Sequence, residues 1–150
     1  MKLSPEKLKE IVEDLDMGFE VFIHKKTYEI VTIRENDDLL EDEENPWQAE
    51  LDKIEKESAD YREIEKMTSR DSFRMMEAFV SEVDDPQTAS RLLQALNGHK
   101  PFANFKIQIN DSGHYREAWF AFKETYMMDW LENQLDFGEE NDIDNGQGTP

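Results

Sequence analysis

The chain has 150 residues, 36 of them Asp or Glu against 17 Lys or Arg, for a net charge of −19 and a mean hydropathy of −0.84. No window approaches the roughly 18 consecutive apolar residues that span a bilayer, and the Met1-Lys2-Leu3-Ser4-Pro5 start carries no apolar leader, which argues against membrane insertion and export. With no Cys, disulfides, thiolate nucleophiles, iron–sulfur clusters and thiolate zinc sites are excluded, and the reducing cytoplasm is the expected compartment. The negative charge repels phosphate backbones, so nucleic acid is disfavoured and a protein partner with a basic surface is favoured.

A folded chain of this length buries about 70% of the surface its unfolded form exposes. Three Trp, four Tyr and nine Phe supply large apolar areas for that purpose, so an ordered body with polar ends is expected.

Ser4-Pro5 followed by Leu8, Ile11, Val12 and Leu15 reads as an N-cap, a proline at the first helical position and an amphipathic helix that ends near Gly18. Phe19 to Ile23 and Tyr28 to Ile33 are β-rich runs joined by His24 to Thr27, the pattern of a hairpin with one face on the helix; His24 reads as a surface residue of that turn. Glu35 to Asn45 holds seven acids around Leu39 and Leu40 and reads as a solvated loop. Pro46-Trp47 opens a helix to about Glu57, and Tyr61 to Met67 alternates weakly, as a third strand would.

From Thr68 the pattern turns helical. Thr68 with Asp71 forms a capping box ahead of a stripe of Phe73, Met76, Phe79, Val80 and Val83. Asp85-Pro86 starts a helix whose buried face is Ala89, Leu92, Leu93 and Leu96, stopped by Asn97-Gly98. Pro101 begins another with Phe102, Phe105 and Ile109 at i, i+3 and i+7. The last helix runs from about Gly113 to Leu135. Its apolar arc, Tyr115, Trp119, Phe122, Tyr126 and Trp130 flanked by Phe120, Met127, Leu131 and Leu135, is wide enough for a central position. The neighbouring pairs Met75-Met76 and Met127-Met128 place at least one methionine of each pair off the buried face. Asp136 to Pro150 reads as a disordered acidic tail.

The expected fold class is therefore α+β. An N-terminal helix and small antiparallel sheet, residues 1–67, pack on a four-helix C-terminal half, residues 68–135, as one compact unit from 1 to 135.

No strong catalytic motif is present. His24, His99 and His114 show no metal-ligand spacing, no glycine-rich phosphate loop exists, and Gly-x-Ser-x-Gly is absent, so no metal, cofactor or catalytic residue is assigned. Charge is uneven: residues 1–67 carry 21 acids against 10 bases, residues 68–135 carry 10 against 7, and the tail carries five acids alone. Between Arg91 and Lys123 the balance reverses, with Arg91, Lys100, Lys106, Arg116 and Lys123 facing Asp111 and Glu117, and with His99 and His114 adding titratable nitrogens. These seven residues are the candidate site for an anion or an acidic segment. The plainer reading spreads them over several helix faces, paired with surplus acids, with His99 and His114 serving as helix caps.

The run Leu92-Leu-Gln-Ala95-Leu96-Asn-Gly98-His-Lys-Pro101-Phe102-Ala-Asn-Phe105-Lys106, followed by Arg116-Glu-Ala-Trp119-Phe120-Ala-Phe122 and Trp130-Leu131, resembles the bacterial uncharacterised protein family 0158. The resemblance covers residues 61–135, and Phe73, Met76 and Phe79 also suit it. It implies a bacterial, cytoplasmic protein and hands no catalytic role to any residue. It also implies that the acidic loop and the tail depart from the family's pattern.

The composition and the missing motifs favour a small, acidic, non-enzymatic interaction or regulatory protein. The alternative is an anion-binding domain, or an enzyme acting on a phosphorylated or carboxylated small molecule, with Lys106, Arg116 and His114 converging.

Overall fold

The structure, a computed structural model, describes residues 2–34 and 46–147. The acidic stretch 35–45 and residues 148–150 lie outside the described residues. Two compact units are present: Met1–Lys66 with Trp130–Pro150, and Met67–Asp129. The final helix contributes to both, whereas the sequence pattern assigned it whole to the helical half.

In the first unit, α1 (Pro5–Asp16) is started by Ser4, whose hydroxyl accepts from the Lys7 N–H at 3.3 Å. Leu8, Ile11, Val12 and Leu15 form its buried side. Gly18 takes a φ of +92°, a conformation that L side chains avoid, and turns the chain into the sheet.

Strands β1 (Glu20–His24), β2 (Ile30–Ile33) and β3 (Tyr61–Glu63) form an antiparallel sheet in the order β2-β1-β3. The register pairs Phe22 with Val31 and Glu63, and His24 with Tyr61. Alternation then puts Phe22, Val31, Ile33 and Tyr61 on one face, where Trp47, Leu51 and Ile54 pack from the segment around α2 (Gln48–Lys56). Val21 and Ile23 point to the opposite face and are fully buried, with α1 lying against β1. One face therefore packs on α1, as the hairpin pattern predicted, and α2 covers the other. β2 also begins later than its β-rich run. Tyr28 adopts a left-handed φ of 61° and donates its N–H to the His24 carbonyl at 3.0 Å, so it belongs to the turn.

The second unit contains α3 (Ser69–Glu82), α4 (Pro86–Asn97), α5 (Pro101–Asn110) and the first part of α6 (Tyr115–Gln147). The Thr68–Asp71 capping box forms in both directions, and Asp85 accepts from the Thr88 N–H at 3.1 Å to start α4. Gly98 ends α4 in extended geometry, and a Cβ there would lie 3.1 Å from the Gln94 carbonyl oxygen. The core gathers Phe79 and Phe105 edge-on to Trp119, with ring centroids 5.3 and 5.0 Å away.

Three readings of side-chain position change. Met75 and Met76 are both buried, since the buried arc of α3 is broad enough to include the adjacent pair Phe79 and Val80 as well. Leu93 is exposed, as only Leu92 and Leu96 are buried on α4. Phe120 is 48% exposed, standing off the arc that Trp119 buries. The backbone of α6 continues past Leu135 to Gln147, through much of the segment read as a disordered tail.

Candidate functional site

The seven basic candidates fall into distinct places on the second unit. α4 and α5 lie side by side, joined by the short connection that carries His99 and Lys100. Both residues are exposed, Lys100 in a left-handed conformation at the start of α5, and the His99 carbonyl accepts from the Asn104 amide. His114 and Arg116 lie beyond the other end of α5, whose ten residues measure about 15 Å. These two pairs therefore cannot share one small ligand.

Arg91 lines a groove between α4 and α5 together with Gln94, Ala95, Asn104, Gln108 and Asp111, so a carboxylate already shares its surroundings. The His114 ring lies 4.1 Å from the Tyr115 ring, tilted by 35°, and the Tyr115 hydroxyl donates to Asp84. That hydrogen bond, followed by the backbone N–H of Asp84, holds the Asp84 carboxyl below the ordinary value. Asp85 is lowered by the Thr88 hydroxyl and then by the Thr88 N–H. The start of α4 thus carries ionised acids close to His114.

Arg116 is fixed by two neighbours. The Arg116 Nε–H donates to Asn110 Oδ1 at 3.2 Å, and its guanidinium sits 5.1 Å over the Phe120 ring. Lys106 and Ile107 precede Asn110 by four and three residues on α5, so they are its neighbours on the helix surface. Ile107 and Phe120 are both about half exposed, at 54% and 48%. Lys123 follows Arg116 by two turns along α6 and is partly buried. Sequence reasoning placed Phe120 in the core and so overlooked its exposure beside Arg116. The 100° step from buried Trp119 was the signal available.

A second surface lies on α1. Glu6, Glu10 and Glu13 recur at i, i+4 and i+7 on the side opposite Leu8, Ile11, Val12 and Leu15, and the stripe ends at Met17, which is 59% exposed. The crowding acts on Asp14, whose carboxyl is pushed up by burial first and by Glu10 and Glu13 next. Within the same unit, Glu20, Glu63 and Glu65 line a shallow groove with Ile64 and Lys66. Composition revealed the acidity of this half; the stripe itself was legible in the helical spacing of its glutamates.

Among the described residues, no group of three or more His, Asp or Glu side chains is placed to hold a metal ion, and no helix is long and apolar enough to cross a membrane.

Comparison with known proteins extends the C-terminal resemblance in both directions. The profile described as Uncharacterised protein family (UPF0158) matches residues 38–149. The chain belongs to this family. The span of the match runs across residues 38–45 of the acidic stretch and 136–149 of the C-terminal segment. A UPF0158 protein of Pseudomonas aeruginosa is 30% identical over 80 residues, 53% of this chain and 50% of the relative. The chain thus matches about half the length of that curated relative. No solved structure matches the chain.

Proposed function

We propose that this member of UPF0158 is a small, non-enzymatic interaction protein of the bacterial cytoplasm whose acidic N-terminal helix engages a basic surface on a protein partner. The observation that carries this reading is the Glu6-Glu10-Glu13 stripe on the solvent side of α1, ending at exposed Met17. Like charges at this spacing destabilise a helix by a few tenths of a kcal/mol per pair, a cost that a cationic partner removes on binding. A relative from Pseudomonas aeruginosa supports a bacterial setting, and a chain without Cys suits a reducing compartment.

The test is capture from a nuclease-treated native lysate at low and high salt, comparing the wild-type chain with a Glu6→Gln, Glu10→Gln, Glu13→Gln variant. A defined protein retained by the wild type and lost with the variant supports the reading. An identical set captured by both chains refutes it.

A further inference from the structure

α4 and α5 are joined by three residues, Gly98, His99 and Lys100, and the first of them follows an asparagine. A Cβ at Gly98 would crowd the Gln94 carbonyl oxygen at 3.1 Å, so the turn takes a residue without one, and no side chain shields the Gly98 nitrogen. Its N–H is loosely held, donating to the Ala95 carbonyl at 3.4 Å, where backbone bonds centre on about 2.9–3.0 Å. Asn97 is the last residue of α4 and is exposed, and among the described residues no hydrogen bond engages its side-chain amide. Asn104 and Asn110 are placed differently. The Asn104 amide donates to the His99 carbonyl, the Asn110 amide oxygen accepts from Arg116, and the residues that follow them, Phe105 and Asp111, carry side chains.

We propose that Asn97 is a site of spontaneous covalent modification by water, through a succinimide ring closed with Gly98. The Gly98 nitrogen gives its proton to solvent and attacks the Asn97 Cγ. A new N–Cγ bond forms, the Cγ–Nδ2 bond breaks, and ammonia leaves with the proton returned to it. One water then opens the ring. Attack at Cγ restores the main chain and gives aspartate; attack at the main-chain carbonyl carbon of Asn97 gives isoaspartate, in which the chain runs through Cβ and Cγ. Nothing is oxidised or reduced, and the sum is one water consumed and one ammonia released. Ring closure requires the Asn97–Gly98 peptide to rotate out of helical geometry. That peptide is the last of its helix and has only the long Ala95 bond to give up. Either product puts a carboxylate at the negative end of the α4 dipole, and isoaspartate also adds a backbone carbon to a short connection, so both loosen the end of α4. No residue of the α1 stripe and no partner protein takes part.

The experiment incubates the full chain and a synthetic peptide of residues 92–106 side by side for days at neutral pH, digests the chain with trypsin and reads both by mass spectrometry. Trypsin does not cut after Lys100 because Pro101 follows, so the fragment from Leu92 to Lys106 carries Asn97 and Asn104 together, while Asn145-Gly146 falls in another. The expected result is the amide-to-acid mass change at Asn97 in the folded chain, at a rate within about tenfold of the free peptide's, since only a helix end has to open. Asn104 stays unchanged, electron-based fragmentation finds isoaspartate at Asn97, and the modified chain, separated by anion exchange, melts below the unmodified one. Conversion of Asn97 more than about tenfold slower than in the peptide overturns the proposal. So does equal conversion of Asn104 in the chain, which marks the change as a property of unfolded molecules. A modified chain that melts with the unmodified one overturns the loosening of α4.

Discussion

Gln134 and Glu65 exchange two hydrogen bonds: the Glu65 N–H donates to Gln134 Oε1 at 2.8 Å, and Gln134 Nε2 donates to the Glu65 carbonyl at 3.1 Å. A side-chain amide here pairs with backbone as a neighbouring strand would, just past the end of β3. Arg62 reinforces the joint from the strand side, donating to the carbonyls of Gln134 at 2.7 Å and Leu135 at 3.0 Å. A three-residue strand needs such help, since its own ladder is short. Gln134→Ala is expected to cost about 1–2 kcal/mol in urea unfolding, and to speed hydrogen exchange at the Glu65 amide. An Arg62→Met, Gln134→Ala double variant less destabilised than the sum of the singles identifies the contacts as one unit.

The β1–β2 turn depends on a side chain. His24 Nδ1 accepts from the N–H groups of both Lys26 and Thr27 at 3.1 Å, while its ring stands edge-on to Tyr61 at 5.1 Å. His24→Leu removes the acceptor and leaves two turn donors to water, for an expected loss of about 1–2 kcal/mol. His24→Asn, whose side chain closes turns in the same manner, recovers part of that loss. Chemical denaturation of the two variants checks the ordering.

Buried and exposed aromatics differ in what their truncation costs. Phe105 is fully buried against Trp119, and Phe105→Ala is expected to cost about 3–5 kcal/mol with a red shift of tryptophan emission. Phe120→Ser on the exposed face of the next helix stays within about 0.5 kcal/mol of wild type. A large loss from Phe120→Ser would place that ring in the core.

The acids give stability opposite dependences on pH. Asp84 and Asp85 have folded pKa values below the ordinary 3.8, so their contribution is complete above that value and is lost as pH falls through the lower folded ones. Asp14 has a folded pKa above 3.8; it favours folding while protonated, and that contribution is lost as pH rises through the folded value. At about pH 7 Asp14 is ionised against burial and its neighbours. Asp14→Asn is therefore expected to raise the thermal midpoint at about pH 7, with the gain vanishing near pH 3, whereas Asp85→Ala lowers it at about pH 7 and the deficit shrinks as the solution is acidified. Thermal scans across this range read both signs.

Local rules explain what was legible in the sequence. Ser4-Pro5, the Thr68–Asp71 box and Asp85-Pro86 each place a side-chain acceptor within three residues of the donors it satisfies, so α1, α3 and α4 begin where the sequence says. The hairpin, the third strand and the family pattern around Phe105 and Trp119 were readable for the same reason, because period and spacing are properties of neighbouring residues.

Tertiary structure alone decided the rest. Whether Phe120 and Leu93 are covered depends on which helix lies beside them, and a hydrophobic side chain that no helix reaches stays in water. The meeting of Arg62 and Gln134, far apart in the chain, and of Asn110 with Arg116 across a helix junction, follows from packing and not from any local signal. Arg116 was drawn to Asn110 and Phe120 on those terms, while His99 with Lys100 and His114 with Arg116 ended up at opposite ends of α5. Residue type set the charge of the stretch from Arg91 to Lys123; the course of α5 and α6 set which of those charges share a surface.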